Sequence, residues 1–224
     1  MGRLYLVRHG QASFGAADYD QLSALGARQC QALGEWFAGR GTVFEAVLRG
    51  TLQRHVQSLA SIASGYGDAG LPDALAWPGL NEYDSAALIR TVHTGTLARP
   101  DSPEVYRAHF RLLRQALTRW TAGETRPEGM PSWADFRAGV AAALDHVRST
   151  HAGDVLLVSS GGPIATAVHQ VLGTPVEAMV EMNMHIRNSA LTEFDFTPRR
   201  HRLLSFNHLP HLDHPERRDW ESYA

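Results

Sequence analysis

The sequence predicts an α/β domain of three layers, α/β/α, in which a mostly parallel sheet carries helices on both faces. Short apolar runs at residues 4–7, 44–48 and 155–158 alternate with stretches of helical periodicity. Two polar clusters, Arg8-His9-Gly10 and Ser159-Ser160-Gly161-Gly162, follow directly on the first and last of those runs. In open sheets of this kind ligands bind beyond the C-terminal strand ends, so clusters far apart in sequence become neighbours in space.

The elements follow in order. Residues 4–7 are an apolar run with β-branched character that stops at Arg8, as a buried strand delivering polar groups at its end would. Residues 20–38 set Leu22, Leu25, Leu33, Trp36 and Phe37 on or near one helical face, with Ser23 as N-cap. A second strand is expected at 44–48 and a helix at 53–64. The Gly-, Pro- and Asp-rich stretch 64–81 reads as loop with a short strand at 74–77. Residues 83–131 are the least regular part, an expected helical cap inserted in a single domain spanning 1–224. Within it 103–121 has helical spacing and ends in the breakers Gly123, Pro127, Gly129 and Pro131.

A further helix is expected at 132–148, with Ser132 as N-cap and Asp135 three residues on, then Phe136, Val140, Leu144 and Val147. Residues 155–158 form an apolar strand and 159–163 a tight turn. The helix 163–172 has Pro163 at its first position and Gly173 just past its end. Strands at 190–196 and 202–206 and a polar tail at 208–224 complete the chain. No internal repeat or low-complexity segment interrupts it.

At 224 residues the chain can bury a substantial core without disulfides or a structural metal. Its 44% hydrophobic and 20% charged content is that of a globular protein rather than a disordered one. A net charge of −2 gives no reason to expect nucleic acid or an anionic membrane as partner, so any phosphate affinity must come from locally placed arginines. The lone Cys30 cannot form an internal disulfide, and no signal-peptide apolar segment fits residues 1–7. A cytoplasmic location is the resulting expectation. No heptad seam stands out to fix an oligomeric state.

On physical grounds Arg8-His9-Gly10 offers a guanidinium fork for phosphate oxygens, an imidazole able to serve as nucleophile, base or ligand, and a glycine that lets the backbone turn. Alone, the tripeptide reads first as a solvated arginine and a structural histidine at a strand end. The surrounding motifs decide between them. Leu6-Val7-Arg8-His9-Gly10-Gln11-Ala12 resembles the opening signature of the histidine phosphatase superfamily, which includes the phosphoglycerate mutases. Five more resemblances follow in the expected order. Residues 20–29 match a "D-x-L-T-x-x-G-x-x-Q" helix start, and 52–58 (Leu-Gln-Arg-His-Val-Gln-Ser) match "L-x-R-A-x-Q-T". Leu80-Asn81-Glu82 matches "L-x-E", 158–162 (Val-Ser-Ser-Gly-Gly) match "V-S-H-G-G", and 207–212 match "N-x-x-x-H-L".

The resemblance implies a phosphoglycerate mutase-like fold and a phosphohistidine formed on His9. It implies Arg8 and Arg54 gripping the phosphoryl oxygens and Glu82 protonating the leaving oxygen. Substrate contacts are implied from Arg8, Arg54, Ser160, Gly161, Gly162 and Gln11, the two glycines opening a helix whose N–H groups form an anion site. No cofactor and no metal are expected. His208, His211, Asp213 and His214 cannot align on a helix through Pro210 and Pro215. The expected ligand is a small-molecule phosphomonoester or phosphate.

Ser160 stands where most members carry a second histidine, and a hydroxyl is shorter and uncharged. Three outcomes follow: a slow phosphatase, an enzyme in which His55 or His185 compensates, or a phosphate-binding pseudo-phosphatase. A phosphoglycerate mutase is the nearest rival of the same chemistry, but mutases keep both histidines and longer insertions. A serine nucleophile at Ser160 is disfavoured because the sequence lacks the first glycine of a nucleophile elbow. Substrate choice is expected to lie in 83–131, with Arg90, His93, Arg99 and Trp133 as candidate contacts.

Overall fold

A computed structural model describes residues 1–13, 20–95 and 102–223. Its strands are β1 (Gly2–Arg8), β2 (Phe44–Arg49), β3 (Ala74–Ala76), β4 (Asp154–Ser159), β5 (Leu191–Thr197) and β6 (Arg200–His208). They form one six-stranded sheet in the order β3-β2-β4-β1-β5-β6. The β1, β2, β3 and β4 neighbours run parallel, while β5 and β6 add on antiparallel. The helices are α1 (Ala24–Gly39), α2 (Gln53–Tyr66), α3 (Ser85–Arg90), α4 (Pro103–Thr121), α5 (Trp133–Thr150), α6 (Gly161–Leu172) and α7 (Val176–His185).

The strand sequences dictate the layers. Side chains of β1 and β4 alternate between two apolar clusters, as a two-residue period requires. Leu4, Leu6, Val155 and Leu157 pack with Trp120 of α4, Val140 and Leu144 of α5 and Ile164 and Val168 of α6. Tyr5, Val7, Leu156 and Val158 turn the other way, onto Cys30, Leu33 and Phe37 of α1 and Ile62 and Tyr66 of α2. Strands covered on both faces read as unbroken apolar runs, which is why they were conspicuous in the sequence. Three layers result.

Caps set the helix starts where the sequence puts them. The Ser23 hydroxyl accepts the Gly26 N–H, and that of Ser132 accepts the Asp135 N–H while donating to the Asp135 carboxylate at 2.6 Å. Three helices differ from expectation. α6 begins at Gly161, so Pro163 is its third residue; the first four N–H groups of a helix have no intrahelical partner, and proline fits there without loss. α3 was not read from the sequence, yet Asp84 caps it by accepting the Ala87 N–H at 3.0 Å. α7 was missed as well. It buries only Met179 and Val180, too weak an apolar stripe to signal a helix, and His185 therefore ends a helix rather than lying in a loop. The polar tail folds back through short 3-10 turns at Pro210–Leu212 and Pro215–Trp220, burying His211 and Leu212.

Register is what positions the site. Arg8 pairs with Ser159 across β1 and β4, and the His9 N–H continues the ladder to the Ser159 carbonyl at 2.8 Å. The Gly50 N–H, just past β2, reaches the Val158 carbonyl at 3.0 Å. Three strand ends are thus level, and the loops leaving them share one edge.

Candidate active site

His9 is held by its backbone on both sides. Besides the Ser159 bond, its carbonyl accepts the Ser189 N–H at 3.1 Å. Gly10 follows, its N–H donating to Ser58 Oγ at 3.1 Å. A Cβ at residue 10 would lie 2.3 Å from the Gly26 carbonyl oxygen, so only glycine lets this turn settle on the start of α1. The His9 ring bonds through Nδ1 to the Gly10 carbonyl at 2.7 Å. A carbonyl can only accept, so Nδ1 carries the proton and Nε2 keeps its lone pair. Burial, then the charges of Arg8 and Arg54 and the nearby His55, hold the imidazole well below its ordinary pKa. It is neutral at physiological pH.

Two guanidinium groups come from separate elements. Arg8, at the end of β1, donates to the Ile186 carbonyl at 2.5 Å. Arg54, in the first turn of α2, reaches the Asp20 carboxylate at 2.7 Å. Asp20 also takes the Gln53 N–H at 2.8 Å, serving as the helix cap that the Leu52 side chain cannot provide.

Glu82 lies just beyond the 3-10 turn Pro78–Leu80. Its neighbour Asn81 pins the loop, accepting the Thr51 N–H and donating to Thr51 Oγ1, both at 2.6 Å. The Glu82 carboxyl accepts the Gly162 N–H at 3.1 Å. A Cβ at residue 162 would stand 2.2 Å from Glu82 Oε1, which explains the glycine. Burial raises the Glu82 pKa, partly opposed by the Gly162 bond and by Arg54 and Arg8. The start of α6 was expected to cradle phosphate directly; its Gly162 N–H instead holds this carboxyl.

A cleft of about 480 Å³ opens over these groups, lined by Arg8, His9, Arg54 and Glu82 together with Tyr83, Tyr106, Phe110, Leu113, Met184 and Tyr223. Six separate sequence segments are thereby brought together. Gln11, Ser160, Gly161 and Gly162 are not in its wall, and the Gln11 side chain accepts from Ser23 Oγ at 2.8 Å. Nor are Arg90, His93 or Trp133, and Arg99 falls outside the described residues. The helix expected at 103–121, α4, lines the cleft instead. Its Tyr106, Phe110 and Leu113 recur at spacings of three and four, an apolar helical stripe that the sequence itself displays.

The C-terminal motif braces the site from behind. Asn207, at φ 58°, accepts the Arg187 N–H at 2.8 Å and donates to the His185 carbonyl at 2.9 Å, framing the Ile186 carbonyl that receives Arg8. His211 bonds Ser189 Oγ at 2.9 Å, and Ser189 in turn holds the His9 carbonyl. Ser160 and His55 are both fully buried and meet at 2.7 Å through Oγ and Nε2. The His55 ring centroid is 5.9 Å from that of His9. His185 is far more open, beside Glu181 at 3.8 Å. Among the described residues no group of three or more His, Cys, Asp or Glu gathers to hold a metal, and no helix is long and apolar enough to cross a membrane.

A family model described as "histidine phosphatase superfamily (branch 1)" matches residues 4–209. No curated protein matches the chain. Solved structures do. A substituted phosphoserine phosphatase from Entamoeba histolytica in complex with phosphoserine is 19% identical, covering 95% of this chain and 100% of its own, at a TM-score of 0.62. The α-ribazole phosphatase from Shigella flexneri is 20% identical over 92% of this chain and 96% of its own, at 0.65. A phosphoglycerate mutase from Bacillus anthracis is 16% identical over 94% of each chain, at 0.66. At such identities the likeness carries the fold.

Proposed function

Because the chain belongs to the histidine phosphatase superfamily, branch 1, we propose that it is a phosphomonoester hydrolase working through a phosphohistidine on His9. One observation carries this reading: His9 Nδ1 is committed to the Gly10 carbonyl, leaving an unprotonated Nε2 in a cleft shared with Arg8, Arg54 and Glu82. Nε2 attacks phosphorus as the ester P–O bond breaks, and the Glu82 carboxyl gives its proton to the departing oxygen. Arg8 and Arg54 offset the charge that spreads over the phosphoryl oxygens. Water then attacks the phosphohistidine, yielding a proton to the Glu82 carboxylate as the N–P bond breaks and Nε2 is restored. Residues 83–131 act as the cap that selects the leaving group. The working location is the cytoplasm.

A second reading, a phosphate-binding pseudo-phosphatase, is favoured by one observation, the hydroxyl of Ser160 in place of an imidazole. Hydrolysis of p-nitrophenyl phosphate across about pH 5 to 8, with His9→Ala beside the unaltered protein, separates the two. Turnover lost in His9→Ala, with acid-labile phosphate trapped on the unaltered chain, is the expected result. Turnover that survives the substitution removes His9 as nucleophile. Tight phosphate binding with no turnover on a phosphomonoester panel establishes the binding reading.

A further inference from the structure

Two departures from the family's sequence pattern near the site, His55 in "L-x-R-A" and Ser160 in "V-S-H", lie in different elements, yet their side chains touch at 2.7 Å. We propose that His55 is a positioning residue acting through Ser160: its Nε2–H fixes Ser160 Oγ as an acceptor and turns the hydroxyl hydrogen toward a phosphoryl group on His9. The small residue and the imidazole have exchanged places. The ring that the pattern supplies from the end of β4 comes here from the first turn of α2, and a hydroxyl bridges the remaining gap.

Three features support this. Register sets Ser160 beside His9, because the residue before it, Ser159, accepts the His9 N–H at 2.8 Å. Ser160 is the N-cap residue of α6, where a serine commonly bonds its own helix, yet its side chain makes no capping bond and points to His55. Finally, His55 Nδ1 is buried with no hydrogen-bond partner among the described residues. Orphaned buried N–H groups are rarer than under-used acceptors, so the proton belongs on Nε2, the nitrogen facing Ser160. Gly50 keeps that orientation, since a Cβ there would lie 2.1 Å from Nδ1. Burial, with the charges of Arg54 and Arg49, also lowers the His55 pKa to about 3, so the ring is neutral and has one N–H to give. An anion held at His9 would give the Ser160 hydroxyl its acceptor.

The proposal rests on the phosphatase reading above, and the two fail differently: activity surviving His9→Ala sinks that reading, whereas the following variants address the His55–Ser160 pair. Ser160→Ala, His55→Leu, the double variant and His55→Gln are compared by kcat and KM for p-nitrophenyl phosphate and by thermal melting. Ser160→Ala and His55→Leu are expected to lower kcat by about a hundredfold each, with KM little changed. The double variant should be no slower than either single one, because the two act as a unit. His55→Gln, which can still donate to Ser160, should recover part of the loss where His55→Leu does not. Ser160→Ala removes a single oxygen, so a folded Ser160→Ala with full kcat overturns the proposal whatever His55→Leu does to folding. Losses that multiply in the double variant, or a His55→Gln as slow as His55→Leu, overturn it too.

Discussion

The Arg54 guanidinium lies 2.7 Å from the Asp20 carboxylate, and that same carboxylate takes the Gln53 N–H at 2.8 Å. One acidic side chain therefore both caps α2 and aims a cleft arginine carried in its first turn. Asp20→Ala should lose about 1 kcal/mol of stability from the cap. It should also lose roughly ten- to a hundredfold in kcat/KM from a misdirected Arg54. Asp20→Asn keeps a capping oxygen without the charge, so it should recover the melting temperature more fully than the rate. Thermal melts alongside steady-state kinetics separate the two effects. A lower melting temperature with an unchanged rate would show that Arg54 is aimed by other contacts.

Glu82 and His9 are displaced in opposite directions, and the signs fix the shape of the pH profile. In the proposed mechanism the His9 imidazole must be neutral to attack; burial, Arg8 and Arg54 hold it below 6.5, so the rising limb of kcat/KM should lie on the acid side of that value. The Glu82 carboxyl must be protonated to assist departure; burial raises it above 4.5, so the falling limb lies on the alkaline side of that value. Glu82→Gln should erase the falling limb and cost about 100- to 10,000-fold on alkyl phosphates. The loss should be smaller on p-nitrophenyl phosphate, whose phenolate departs without a proton. The linkage runs the same way. A carboxyl raised on folding contributes stability below its unfolded value and loses it as pH rises through the folded one, so Glu82→Gln should be relatively more stable at alkaline pH.

What the sequence disclosed depended on how many independent constraints each residue answered. The buried strands were legible because covering both faces leaves a run such as Leu156-Leu157-Val158 without a polar position. Arg8 with His9, Arg54 and Glu82 were legible because they fall in register with three separate motifs. α7 was not, since its helicity depends on docking Met179 and Val180 rather than on any cap of its own. The contact between His55 and Ser160 could not be read either. Nothing local to either residue reports a partner 105 positions away, and His55 stood only beside His185 as a candidate to compensate for Ser160. Asp20 sat in a matched motif, but its hold on Arg54 depends on α1 and α2 being brought together by their apolar faces.

The cleft wall carries its own expectation about substrates. Tyr106, Phe110 and Leu113 lie along α4 and face the groups around His9, beside Tyr83 and Met184. Such a wall rewards a phosphomonoester with a ring or a hydrocarbon leaving group. Phe110→Ala should raise KM for naphthyl phosphate about tenfold, the worth of some 1.4 kcal/mol of lost apolar contact. Acetyl phosphate, which does not extend to that wall, should be hydrolysed as before. Equal losses on both substrates would mean that Phe110 maintains the cleft rather than contacting the leaving group.

His211, bonded to the Ser189 that holds the His9 carbonyl, is expected to make the site acid-sensitive. Burial, assisted by Arg217 and His208, lowers its pKa to about 3 from 6.5, so the folded chain keeps this imidazole neutral while the unfolded chain protonates it. The stability it contributes is complete above 6.5 and is withdrawn as pH falls from there toward 3. The withdrawal is of the order of 1.4 kcal/mol for each pH unit in that window. His211→Gln can still meet Ser189 but has nothing to titrate. It should be less stable than the unaltered chain at about pH 8, by roughly 1 kcal/mol for an imperfect bond, and more stable at about pH 4. Urea midpoints at several pH values test for that crossing. Because Ser189 holds the His9 carbonyl, the same variant should keep its activity after acid exposure that inactivates the unaltered protein. Parallel stability curves with no crossing would place the acid-sensitive group elsewhere, with the buried His55 as the next candidate.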